Sequence, residues 1–250
     1  MIFFYITTRL LHLSSQSACT FAVYNAMPKH IIQAINLTIS YPQKDLITGL
    51  NWTVDEQEWI EFSGPNGAGK TSLLNAFYGM PMKLSGQLNV LDFSLNPLSK
   101  EDLASLRRKI GYARQNLQLI PEKTVRANLV MALHAADRVQ DFDFDGQVQW
   151  ILEALGMSEK IKTPLVMLSQ GEQHVVAIAR ALIHKPKLLL LDQSLDYLDD
   201  TSRKTVIQLI QNARESDRLT ILSSALKTWS DEITNCKSIK IESGNLILLN

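Results

Sequence analysis

Gly64-Pro65-Asn66-Gly67-Ala68-Gly69-Lys70-Thr71 decides the fold of this chain. It fits the pattern G-x-x-x-x-G-K-[ST], in which backbone N–H groups cradle phosphates, the lysine reaches the β- and γ-phosphates and the hydroxyl ligates Mg²⁺. The pattern carries weight only between a strand and a helix, because a helix amino terminus adds its dipole and free N–H donors to an anion site. Both flanks are present. Trp59 to Ser63 reads as a short apolar strand entering the loop, and Lys70 to Tyr78 reads as a helix leaving it. Gly64, Gly67 and Gly69 permit backbone angles and a close phosphate approach that a Cβ would block. A Gly-rich turn alone explains the glycines but not Lys70-Thr71 at the required spacing.

Outward from the loop, apolar runs alternate with helical patterns, the signature of an α/β domain. Ile31 to Ser40 reads as a strand, with Asn51 to Val54 as its hairpin partner. Val175 to Leu182 has helical periodicity and follows Leu168-Ser169-Gln170-Gly171-Glu172-Gln173. Leu188 to Leu191 is all aliphatic and reads as a strand buried on both faces of a parallel sheet. It ends in Asp192, and an acid at that end of a strand beside a phosphate loop is placed to hold Mg²⁺ through water. Between Gln115 and Leu168 the helical patterns are Val125 to Ala135 and Val148 to Leu155. The Asp141–Gly146 stretch between them lacks the bidentate glutamate of a calcium loop and reads as a solvated loop anchored by Phe142 and Phe144.

The 250 residues suffice for one α/β domain with a sizeable core and a small inserted subdomain. Lys plus Arg is 25 and Asp plus Glu is 25, so the chain lacks the basic excess of a dominantly electrostatic nucleic-acid binder. Cys19 and Cys236 form no metal-ligand spacing and read as reduced thiols. Met1 to Ala26 starts apolar but carries Arg9 and His12 in its first half, so no apolar run there approaches the ~20 residues of a bilayer span. The charge lies inside the apolar stretch, the wrong order for a secretory signal. Two readings stay open, a short membrane-surface anchor and an over-extended frame whose start is Met27. The first periodic strand pattern, at Ile31, favours the second.

The order Gly64–Thr71, Gln115, Leu168–Gln173, Leu188–Asp192 resembles the ATP-binding cassette (ABC) ATPases, over roughly Ile31 to Leu249. Within them, Leu106 to Pro121 with Thr124-Val125 and Asn128 is similar to the cell-division FtsE group, with lipoprotein-releasing LolD and macrolide-export cassettes as neighbours. The resemblance implies a P-loop NTPase core, a mainly parallel sheet flanked by helices. It adds an antiparallel β subdomain and an α-helical subdomain inserted at about 116–168, all within 27–250. It implies an ATP-binding set of Tyr41, Gly64, Asn66, Gly67, Ala68, Gly69, Lys70, Thr71, Ser72, Gln115, Ser169, Gly171, Asp192 and Asp199. Tyr41 would stack on adenine, and Thr71, Gln115 and Asp192 would hold Mg²⁺. Ser169 and Gly171 would contact the γ-phosphate bound by the opposite subunit, so two cassettes sandwich two ATP molecules, as a homodimer or with a different cassette. Asp199 would communicate across that dimer. A separate transmembrane permease-like protein would dock on the helical subdomain, which places the chain peripherally on the cytoplasmic face of the membrane.

Four positions depart from the family pattern. Asp192-Gln193-Ser194-Leu195 stands where Asp-Glu-Pro-Thr is expected, so an amide replaces the carboxylate that polarises the attacking water. General base catalysis is worth about 10²–10⁴-fold, and a glutamine retains only the ability to orient water. After the strand Thr220 to Ser224, Ala225-Leu226 replaces the histidine that contacts the γ-phosphate and the acid that follows it. Gln170 replaces the first signature glycine, and Val175 replaces a usual arginine. Gln193 and Ala225 are thus degenerate forms of the base and switch positions.

Three function classes follow: an ATP-hydrolysing motor subunit on a membrane partner, a degenerate cassette that binds ATP as a clamp, and a soluble cassette acting on nucleic acid or the ribosome. Neutral charge and the single cassette disfavour the third. Gln193 and Ala225 separate the first two and favour the clamp, with hydrolysis slow or absent at this chain's own site.

Overall fold

Apolar alternation along His30–Tyr41 produces a 12-residue strand, β1, whose inward side chains Ile32, Leu37 and Ile39 are fully buried. It pairs antiparallel with β2 (Lys44–Asp55), setting Ile32 opposite Val54 and Ile39 opposite Ile47. The hairpin partner expected over Asn51 to Val54 is therefore the second half of a longer strand. On its other edge β1 pairs with β4 (Lys83–Val90), which pairs with the short β5 (Phe93–Ser94), completing an antiparallel sheet in the order β2-β1-β4-β5. These features come from a computed structural model describing residues 30–41, 44–136 and 143–249. The readings of residues 1–26, Cys19, Asp141 and Phe142 lie outside the described residues, as does the Tyr41 side chain.

The second sheet has the order β10-β9-β3-β8-β7-β6. Its members are β3 (Trp59–Ser63), β6 (Ile110–Ala113), β7 (Leu188–Asp192), β8 (Thr220–Ser224), β9 (Cys236–Glu242) and β10 (Asn245–Leu249). All neighbours are parallel except β10, which returns antiparallel on β9. The helices are α1 (Lys70–Phe77), α2 (Lys100–Arg108), α3 (Val125–Ala135), α4 (Phe144–Ala154), α5 (Gln170–Leu182) and α6 (Asp200–Ser216).

β7 shows why its sequence is aliphatic throughout. Leu188 and Leu190 face a core shared with α1 and the antiparallel sheet, while Leu189 and Leu191 face a core shared with α3, α4, α5 and α6. A strand covered on both faces has no use for polar alternation. Each such leucine contributes about 1.5–3 kcal/mol by leaving water. The close seat of α5 on this sheet depends on Gly111 in β6, where a Cβ would lie 2.0 Å from the Ala181 carbonyl oxygen.

Two helices begin earlier than apolar periodicity suggests. α5 starts at Gln170 because Ser169 and Glu172 form a reciprocal capping box: the Glu172 N–H donates to Ser169 Oγ at 3.3 Å and the Ser169 N–H donates to Glu172 at 2.8 Å. α4 starts at Phe144, with Asp143 accepting from the Gly146 N–H at 2.9 Å. Residues 143–146 are thus a capped helix start, which corrects the reading of that stretch as a solvated loop. Phe144 is half-buried against the His134 ring at 5.0 Å. α3 and α4, with short 3₁₀ turns at Ser158–Lys160 and Leu165–Met167, fill the stretch between β6 and α5. Among the described residues, no helix is long and apolar enough to cross a membrane.

Candidate functional site

β3 delivers the chain into the loop 64–69, and α1 leaves it at Lys70. Gly64 has φ +134, and a Cβ there would lie 2.5 Å from the Ile241 carbonyl oxygen, so only glycine lets the loop pass β9. The first-turn N–H groups of α1 have no intrahelical acceptors and carry the positive end of the helix dipole. They border a cleft of about 290 Å³ lined by Leu46, residues 66–72 and Gln193.

Lys70 is 4% exposed, and its ammonium donates to the carbonyls of Gly64 at 2.6 Å and Pro65 at 3.1 Å. Burial holds its pKa below the usual lysine value, with Asp192 and Asp196 pulling in the opposite direction. The Thr71 hydroxyl donates to Asp192 Oδ1 at 3.0 Å. This puts a hydroxyl and a carboxylate, both hard oxygen donors suited to Mg²⁺, side by side at the cleft. Loop N–H groups, a buried ammonium and paired oxygen ligands are together a donor set that fits a nucleotide triphosphate with its metal.

Asp192 is 2% exposed at the end of β7 and also accepts 2.7 Å from the Ser224 hydroxyl at the end of β8. The next residue, Gln193, has φ +55, a left-handed conformation rare for a side chain larger than asparagine. Its N–H donates to Ser224 at the carbonyl, 3.0 Å, and at Oγ, 3.2 Å. Over-determination of this kind sustains unfavourable backbone angles at functional sites. Gln193 is among the residues that line the cleft.

Ala225 is 2% exposed, and its N–H donates to the Phe62 carbonyl at 3.1 Å. Its methyl group offers no donor to the cleft. The segment after it is fastened by two acids. Asp196 accepts from the Leu226 N–H at 2.8 Å and from the Trp229 indole at 2.9 Å. Glu61, fully buried in β3, accepts from the Trp229 N–H at 2.9 Å and from the Thr228 hydroxyl. Burial pushes the Glu61 pKa up against those hydrogen bonds. The sequence pattern gives Ser224 only as the end of a strand and assigns no role to Glu61 or Asp196. A lone acid in the apolar run Trp59–Ser63 was the available signal for Glu61.

Gln115, Ser169, Gly171 and Asp199 are not among the residues that line the cleft. Gln115 is exposed, with its amide 3.5 Å from the Tyr197 hydroxyl and no bond to Thr71 or Asp192. Tyr197 stacks on His174 of α5 at 4.2 Å and 9°. Ser169 and Gly171 sit at the amino terminus of α5 and do not line the cleft. Asp199 caps α6 by accepting from the Ser202 N–H at 2.9 Å. Asn66, Gly67, Ala68, Gly69 and Ser72 all line the cleft. The Cys236 thiol is pushed up to about 12, first by burial, and stays protonated at neutral pH. Among the described residues, no cluster of His, Cys, Asp and Glu forms a metal site of its own.

This arrangement has close counterparts. A methionine import ATP-binding protein of Shouchella clausii is 34% identical over 196 residues, covering 77% of this chain and 57% of the relative. The chain thus spans little more than half of that relative's length. The cell division ATP-binding protein FtsE of Streptococcus pneumoniae is 28% identical over 204 residues, covering 80% of this chain and 86% of that one. The dimeric structure of MJ0796, a bacterial ABC transporter cassette, superposes with TM-score 0.75 at 26% identity, covering 86% of this chain and 96% of that one. The sequence profile described as ABC transporter matches residues 47–196, more than half of the 250. With that span matched and the phosphate loop folded between β3 and α1, the chain belongs to the ABC transporter family, as an ATP-binding cassette of the P-loop type.

Proposed function

We propose that this cassette binds ATP–Mg²⁺ and uses it as a clamp, with hydrolysis at its own site slow or absent. The observation that carries the reading is Gln193, which lines the cleft and directly follows Asp192. An amide orients water but takes no proton from it, and general base catalysis is worth about 10²–10⁴-fold. The neighbouring Ala225 adds no compensating group. The two deficits act on one step, so their effects do not multiply.

In this reading Lys70 and the loop N–H groups hold the phosphates, and Thr71, Asp192 and Gln115 hold Mg²⁺. When bound there, the metal would supply positive charge that screens the phosphates. Tyr41 supplies the adenine stack, and Ser169 and Gly171 complete the site of a second cassette. A neutral Gln193 removes a like charge from beside the γ-phosphate, which prolongs the closed sandwich. The dimeric solved cassette MJ0796 supports a two-cassette assembly, as a homodimer or with an intact partner whose site this chain would complete. Membership of the ABC transporter family supports a separate membrane protein as the assembly's other component, and the cassette would then sit peripherally on the cytoplasmic face of the membrane.

Gln193→Glu is the test. Restoring the carboxylate while Ala225 stays raises turnover only modestly, whereas Gln193→Glu with Ala225→His raises it about 10²-fold or more. Wild-type turnover equal to that of the double variant would instead favour an active motor subunit of an exporter or lipoprotein-release system.

A further inference from the structure

α4 meets the carboxyl ends of α5 and α6 at a cleft of about 60 Å³ that shares no lining residue with the nucleotide cleft. The buried side chains of Ile151, Leu182, Leu209 and Leu219 give it an apolar floor. Trp150 lines it as well and is 59% exposed, whereas the other three tryptophans are half-buried or buried. A flat aromatic face thus stands in solvent beside a buried apolar hollow.

Gln147 adds a polar group to this apolar setting. Its Oε1 is buried and has no hydrogen-bond partner among the described residues. Most buried side-chain polar atoms are paired, so an orphaned acceptor beside a cleft calls for a donor from outside. Lys185 and Asp217 bring the other polar side chains of the lining, and they pair with each other at 4.0 Å. A lone water needs two to four polar partners, and among these side chains it would find one unpaired. A donor carried on an apolar body suits both parts of the lining.

We propose that this cleft binds a small planar aromatic molecule bearing one N–H or O–H donor, of the indole or phenol class. The donor bonds Gln147 Oε1, the ring edge meets the leucine and isoleucine floor, and the ring face rests on Trp150. Size sets the class. Cofactors and drug-sized ligands fill roughly 300–1,000 Å³, so this cleft takes the edge of one ring and leaves the remainder against Trp150. The site lies outside the nucleotide cleft and stands whether or not the clamp reading holds.

The probes are indole and 1-methylindole, which differ in the donor, titrated into the full chain by calorimetry and followed by ligand-observed NMR. Indole is expected to bind at least about 5-fold tighter, the effect of satisfying one buried acceptor. Gln147→Leu removes the acceptor and brings the two ligands to equal affinity. Ala213→Leu fills the cleft and abolishes binding of both, while leaving ATP binding unchanged. Absence of indole binding at its solubility limit overturns the proposal, as does equal affinity for the two ligands on the wild-type chain. A margin that survives Gln147→Leu, or binding that survives Ala213→Leu, also overturns it. N-acetyltryptophan amide bound more tightly than indole would make the occupant a side chain of a partner protein, against the proposal. Should either variant not fold, the comparison of the two ligands on the wild-type chain decides alone.

Discussion

Ser224 Oγ donates to Asp192 Oδ1 at 2.7 Å, so the last residue of one buried strand fixes the carboxylate that ends the strand beside it. Thr71 donates to the same oxygen from the phosphate loop, which ties three elements at one atom. Ser224→Ala leaves a buried carboxylate short of a donor and is expected to lower stability by about 1.5–3 kcal/mol. Thermal denaturation measures that loss. The variant also weakens the Mg²⁺ dependence of ATP binding, read by nucleotide titration with and without the metal.

Lys70 is a buried cation at the phosphate loop, and two carbonyls already fix its ammonium there. Lys70→Ala removes charge-assisted hydrogen bonds worth about 1.5–3 kcal/mol, so ATP affinity is expected to fall roughly 10- to 150-fold. The fold is kept, because Gly64 is only partly buried and Pro65 is exposed, so water replaces the lost donor at their carbonyls. Equilibrium binding of a fluorescent ATP analogue checks the magnitude.

His174 is 1% exposed, stacked on Tyr197, with no partner for Nδ1. Burial pushes its pKa down to about 4 from an ordinary 6.5. A depressed histidine pKa means that protonation favours the unfolded chain. Its contribution is fully present above pH 6.5 and is lost as pH falls from there towards 4, by about 3 kcal/mol in all. Phenylalanine keeps the stack and cannot titrate. His174→Phe should therefore lose less stability than wild type across that window, as read from denaturant melts at a series of pH values.

The phosphate loop, β7 and β8 were legible because their function and burial constrain every residue type: glycines and Lys70-Thr71 in one, unbroken aliphatics in the others. β4, β5, β9 and β10 were not read. Lys83–Val90 has no clean alternation, because its exposed and buried positions do not repeat with period 2. α2 went unread although Ser99 caps it by accepting from the Asp102 N–H at 3.0 Å, since its apolar face is only a few residues wide. The α5 start was visible in the Ser169–Glu172 capping box but was read only as a motif. The left-handed Gln193 and the hold of Asp196 on Leu226 and Trp229 depend on β7–β8 register, which one-dimensional pattern does not specify.

The central claim is that Gln193 leaves a cassette that holds ATP without spending it. Purified wild-type chain is loaded with ATP–Mg²⁺, freed of excess nucleotide, and its bound nucleotide is identified over time. With typical enzyme turnover near 10 s⁻¹ and a loss of about 10²–10⁴-fold, conversion should be slower than roughly 0.1 s⁻¹ and reach about 10⁻³ s⁻¹ at the lower end. The nucleotide recovered after the first seconds should then be chiefly ATP. Tight binding with immediate conversion to ADP, sustained over many turnovers by this chain alone, would contradict the account.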